Sequence, residues 1–80
     1  MENFAVNDQI AVKCFIPLNS HFVFKAEVIE VDSQQEPTKI KIIEPPAETF
    51  ADISFNVGQI VDVSSLNRIC TVEISFLMRS

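Results

Sequence analysis

Apolar residues recur at every second position through most of this chain, and that alternation limits what it can fold into more than any other feature. A strand sends successive side chains to opposite faces, so a period of two marks a sheet with one buried face. The run ICTVEISFLM (69–78) carries it most cleanly: Cys70, Val72, Ile74, Phe76 and Met78 alternate with Thr71, Glu73, Ser75 and Leu77. QIAVKCFI (9–16) sets Ile10, Val12, Cys14 and Ile16 on one face and Ala11, Lys13 and Phe15 on the other. FVFKAEVIEV (22–31) turns Phe22, Phe24, Ala26 and Val28 inward, TKIKIIE (38–44) does the same with Ile40 and Ile42, and FNVGQIVDV (55–63) adds a further strand. The runs are rich in Val, Ile and Phe, which suit a pleated, half-buried surface. An all-β protein is expected.

The breaks in the pattern place the connections. PLNSH (17–21) is turn chemistry, and a hairpin across it pairs Ile16 with Phe22, Cys14 with Phe24, Val12 with Ala26 and Ile10 with Val28. A slip of one residue would bury Lys13 and Lys25, so the pattern is expected to select this register. After Val28 the alternation changes phase, since Ile29 and Val31 are apolar while Glu27 and Glu30 are not. One extra residue at Val28-Ile29 repairs it, and a β-bulge of this kind bends a strand. DSQQEP (32–37) reads as a polar loop, Glu44-Pro45-Pro46 ends the third strand, and SSLN (64–67) as a tight turn or a single 3-10 turn. PAETFADIS (46–54), with Pro at its start and apolar residues at near-helical spacing, is compatible with a short helix or an irregular loop.

At 80 residues the chain holds one domain, and one this small buries roughly two-thirds of the surface its unfolded form exposes. A cleft between two domains is excluded. With 48% hydrophobic residues it is too apolar for a disordered segment, yet no apolar run approaches the ~18 residues of a membrane span. The opening MENFAVNDQ has neither the basic stretch nor the apolar run of a secretory signal, so a cytoplasmic protein is expected. Cys14 and Cys70, without CxxC spacing, suit neither a disulfide framework nor a zinc site and are expected as reduced, buried thiols.

FAVNDQIAV (4–12) and FNVGQIVDV (55–63) share F-x-V-[N/G]-x-x-[I/V]-x-V, each with a residue that tolerates a left-handed backbone, Asn7 or Gly58, ahead of a strand. The shared pattern predicts two similar strand entries, each anchored by its Phe and Val. FNVGQIVDV resembles the opening strand of SH3-like small barrels, including the KOW type, and the order of three strands, possible helix and two strands resembles an OB-fold. The resemblance implies a small bent antiparallel barrel of five or six strands, SH3-like or OB-like, and leaves function open, because such barrels host unrelated activities.

The residues for chemistry are scarce. His21 is the one histidine and lies in the expected turn, there is no HxxH, DxD or CxxC, and Gly58 as the single glycine excludes a Gly-rich phosphate cradle. Ser64-Ser65 beside Asp62 reads as a turn rather than a nucleophile and its base. No enzyme and no cofactor are expected. Without Tyr or Trp, a groove for proline-rich peptides is not expected.

The outward face of the first strands is more informative. Lys13, Lys25, Lys39 and Lys41 all fall on it, with Phe15 among them, as on the face by which an OB-fold tracks single-stranded nucleic acid. With the bulge, Glu27 lies opposite Lys41 and Glu30 opposite Lys39, which leaves Lys13 and Lys25 as the candidate anion contacts. Eleven acids against six bases give a net charge of -5, distributed along the whole chain, which disfavours nucleic acid and anionic lipid. The acidity allows, as a lesser reading, a mimic of nucleic acid. The same face carries Phe15 opposite Val23, with Ile43 nearby and Leu77 outward on the last strand. Apolar residues clustered on an outer face suit a contact surface, so the leading expectation is a non-enzymatic interaction module that forms a dimer or docks on a protein partner. Segment 46–54 could instead cover them.

Overall fold

A computed structural model of the chain describes residues 3–16, 20–47 and 54–78. The strands are β1 (Gln9–Ile16), β2 (Ser20–Val31), β3 (Pro37–Glu44), β4 (Ile60–Asp62) and β5 (Thr71–Met78), with one helix, α1 (Val63–Ile69), between the last two. They form one antiparallel sheet in the order β4-β3-β2-β1-β5. Among the described residues no pairing joins β4 to β5, so the expected barrel is not closed by hydrogen bonds; α1 instead touches β3, β4 and β5 and bridges the two edges.

The inward residues are those the alternation selects. Ile10, Val12 and Cys14 of β1, Phe22, Phe24, Ala26 and Val28 of β2, and Ile40 and Ile42 of β3 are buried, joined by Phe4, Val61, Val63 and Leu66. On β5 the inward Val72, Ile74 and Phe76 are only half-buried.

Register differs from expectation in the first hairpin. Cys14 pairs with Phe22, Val12 with Phe24 and Ile10 with Ala26, two residues from the expected partners. Ser20 and His21 belong to β2, so the connection is shorter than PLNSH. A shift of two keeps every inward residue opposite an inward residue, so alternation cannot tell the two registers apart; connection length decides. The bulge falls as read: Val28 pairs with Ile40 and Glu30 with Lys39, leaving Ile29 as the extra residue. A second one leaves Ile43 between Ile42, opposite Ala26, and Glu44, opposite Lys25.

The strand expected over 55–63 is shorter, because Phe55–Gln59 is turn and loop and Val63 already belongs to α1. The tight turn expected at 64–67 is likewise the middle of that helix. Val63 and Leu66, three apart, are both buried beneath it, the spacing that puts two side chains on one helix face. Arg68 lies in the last turn, where the helix dipole favours a cation, and the Cys70 N–H donates to Leu66 O at 3.0 Å to close it. Pro46 and Ala47 are not helical, and most of the segment read as a short helix or an irregular loop, 48–53, lies outside the described residues.

The two F-x-V-[N/G] entries share one construction. Asn7 and Gly58 sit at φ 78° and 85°. Asp8 N–H donates to Ala5 O at 3.1 Å, and Gln59 N–H to Asn56 O at 3.0 Å. Asp8 Oδ2 accepts from Ala5 N–H at 2.9 Å, and Gln59 Oε1 from Asn56 N–H at 3.0 Å. Asn7 N–H donates to Val28 O on β2 (2.8 Å) and Gly58 N–H to Ile42 O on β3 (2.7 Å), while Asp8 O and Gln59 O accept the N–H groups of Val28 and Ile42, both at 2.9 Å. Each Phe packs inward as expected, Phe4 on Phe76 and Phe55 on Phe24 and Phe22. The valines do not anchor: Val6 and Val57 are exposed at the turn tips.

The likeness extends into the sheet. Gln9–Glu27, Ile10–Ala26 and Ala11–Lys25 on one side correspond to Ile60–Lys41, Val61–Ile40 and Asp62–Lys39 on the other, and the bulges at Ile29 and Ile43 correspond too. KAEVIE (25–30) and KIKIIE (39–44) carry this in sequence. The pairing pattern is approximately twofold about a line between β2 and β3, and β5 lies outside it.

Candidate interaction surface

On the outer face, the cross-strand rows alternate charge. Lys13 lies opposite Glu73, Lys25 opposite Glu44, Lys41 opposite Glu27, and Lys39 between Glu30 and Asp62. The bulges at Ile29 and Ile43 bring Glu30 opposite Lys39 and Glu44 opposite Lys25. Lys25 Nζ stands 3.4 Å from Glu44 Oε2, with both side chains more than half exposed, a pair worth at most about 1 kcal/mol. Lys13 Nζ lies over the Phe15 ring, 5.6 Å from its centre. The expectation that Lys13 and Lys25 are the two lysines without acidic neighbours is therefore corrected: every lysine of this face has a carboxylate opposite.

All four expected apolar contact residues are solvent-exposed, Phe15 by 37%, Val23 by 42%, Ile43 by 40% and Leu77 by 48%. Their grouping differs from the expected one. The two-residue shift sets Phe15 opposite His21, the rings 5.9 Å apart and tilted by 38°, and sets Val23 opposite Lys13. Phe15 and Val23 remain diagonal neighbours. Ile43 projects from its bulge beside the Lys25–Glu44 pair, and Leu77 lies in an irregular stretch at the far end of β5, where Gln9 pairs with Met78 and Ile10 with Phe76. Phe15, by contrast, pairs with Thr71 at the start of that strand.

Two shallow clefts flank the Phe15–Val23 region. One, of about 280 Å³, is lined by His21, Phe22, Val23, Pro46 and Ala47. Pro46 and Ala47 thus lie beside Val23, which stays exposed. The other, of about 480 Å³, runs from Phe15 and Ile16 to Ile69, Cys70 and Thr71. The exposed Ile69 joins Phe15 there, a residue that the period-two reading missed because helix α1 delivers it.

The two cysteines, distant in sequence, meet. Cys14 is fully buried on β1, and Cys70, at the end of α1, is half-buried rather than buried, its Sγ donating to Leu66 O at 3.3 Å. Burial first, then a hydrogen bond to Cys70 and the proximity of that second thiol, push the Cys14 thiol up to about 12. A thiol held protonated is a poor nucleophile and a poor metal ligand. Among the described residues no three His, Cys, Asp or Glu side chains are grouped to hold a metal ion.

A scan against protein-family models finds no match to this chain, and neither a search of curated proteins nor one of solved structures finds a similar one. Among the described residues no helix is long and apolar enough to cross a membrane.

Proposed function

We propose that the chain is a non-enzymatic interaction or assembly module that self-associates, its sheet curled toward a small barrel of the SH3-like or OB-like kind. The observation that supports this reading most is that Phe15, Val23, Ile43 and Leu77 stand on the outer face with more than a third of their surface in water. Apolar area left exposed forgoes roughly 25 cal/mol per Å², which association recovers. The two reduced thiols accord with a cytoplasmic setting.

Single-stranded nucleic acid is the rival ligand, with Phe15 as the stacking ring and Lys13 and Lys25 as anion contacts. The carboxylates opposite Lys13 and Lys25, the second of them in an ion pair, and the net charge of -5 weigh against it. An acidic mimic of nucleic acid would need an uninterrupted acidic face, whereas the outer face alternates in sign. Phe15→Ser decides between the readings. On self-association it weakens the oligomer about tenfold in sedimentation velocity, while a labelled oligothymidine at low salt stays unbound by the unaltered chain; oligothymidine binding that Phe15→Ser and Lys13→Glu abolish would contradict it.

A further inference from the structure

We infer that Cys70 is a site of oxidation by small hydroperoxides and that Cys14 resolves it, so that the two form an internal, reversible disulfide. The chemistry does not depend on self-association. Alternation along β1 turns Cys14 inward, opposite Val72. The same alternation, carried back two residues from Val72, turns Cys70 inward where the chain passes from α1 into β5, and Cys70 packs against the core there. The two free thiols are thereby diagonal neighbours on one face, and a hydrogen bond joins them. Cys70 already gives its own S–H to Leu66 O at 3.3 Å, so within the pair the Cys14 S–H is the donor and the Cys70 sulfur the acceptor.

Access separates their roles. Cys14 is wholly buried, whereas Cys70 is half-buried and lines the cleft of about 480 Å³ beside Phe15 and Ile69. Among the described residues the one charged side chain lining that cleft is Arg68, and reactive cysteines occupy partly open, electropositive settings of this kind. A hydroperoxide therefore meets Cys70 first. The Cys70 sulfur, as thiolate, attacks the O–O bond; one oxygen stays on it as a sulfenic acid, and the other leaves as water or an alcohol with the proton that Cys70 gave up. Cys14 then attacks the sulfenic sulfur. The S–O bond breaks as the S–S bond forms, and the hydroxide departs as water with the Cys14 proton, so two thiols are oxidised and one peroxide is reduced. Burial holds the Cys14 thiol up to about 12 against the ordinary 9.0, which lowers its thiolate fraction roughly a thousandfold near neutral pH. Aligned groups already in contact react with an effective molarity of roughly 10⁵ M or more, so proximity outweighs that loss. The bond ties β1 to the end of α1, and in a reducing compartment it is transient, as a redox response requires.

The test exposes the folded, unaltered chain to a modest excess of hydrogen peroxide and follows it by intact-mass and peptide mass spectrometry. The expected product has lost two hydrogens and gained no oxygen, joins the peptides of Cys14 and Cys70, and returns to the starting mass with dithiothreitol. Cys14→Ala is expected to stop at the sulfenic acid, which dimedone traps on Cys70. Cys70→Ser, which keeps a donor for Leu66 O, is expected to leave Cys14 oxidised at least about tenfold more slowly than in the unaltered chain. The product of the unaltered chain decides the matter even where a variant folds poorly. An unaltered chain that peroxide leaves unchanged, that carries sulfenic or sulfinic acid on Cys70 without the internal bond, or that links only to other chains would overturn the inference, as would Cys14 oxidised equally fast in Cys70→Ser.

Discussion

Cys14 is the residue whose chemistry the fold changes most. In the unfolded chain its thiol titrates at the ordinary 9.0; in the folded chain it holds its proton to about 12. Below pH 9 both states are protonated and the thiol has no effect on stability that varies with pH. Above it, the unfolded chain gives up the proton and the folded chain does not, so stability falls as pH rises through that window. Cys14→Ala loses packing at every pH but also loses this dependence. The stability gap between the natural chain and the variant, measured by urea unfolding, is therefore expected to narrow from pH 8.5 to 10.5, and a constant gap would contradict the burial assigned to Cys14. The inward residues of β1, β2 and β3 were legible from alternation, and so was the exposure of Phe15, Val23, Ile43 and Leu77; Met78, in line with the inward residues of β5, is instead exposed, and Leu66, in the expected turn, is buried. Which of them are neighbours was not. Alternation fixes parity, and parity is unchanged by the two-residue shift that moved Phe15 from Val23 to His21.

Among the elements, the two turns at 4–9 and 55–60 allow a direct comparison, because they make matching hydrogen bonds with Asn at one left-handed position and Gly at the other. No atom lies within 4 Å of where a Cβ on Gly58 would stand, so only backbone strain resists a side chain there. Gly58→Ala is expected to cost about 1 kcal/mol and Gly58→Asn distinctly less, as Asn7 does in the same role. Equal losses for the two in chemical denaturation would mean that the turns are not equivalent. The turn residues and the Ile29 bulge were readable because each leaves a local mark, a Gly or Asn in one case and a phase change in the other. Helix α1 left almost none. Its seven residues hold one buried pair at a spacing of three, too little periodicity to stand out after a strand, and its existence depends on covering the gap between β4 and β5. The internal likeness of KAEVIE and KIKIIE is plain in the letters but acquires meaning only once the pairing relates the two strands.

For the whole molecule, the sheet is asymmetric in a consequential way. Its first four strands pair in an approximately twofold pattern, and the fifth is added beside β1, outside that pattern. The four lysines that suggest an anion-binding face when counted alone become an alternating surface once strand pairing sets a carboxylate opposite each. That leaves the exposed apolar side chains as the surface with something to gain by association. Self-association is tested by light scattering of the unaltered protein across a concentration series. The mass is expected to rise from the 9.0 kDa of one chain toward twice that value and to level there, as a closed twofold dimer requires. A mass fixed at 9.0 kDa up to millimolar concentration, or one that climbs without limit, would contradict it.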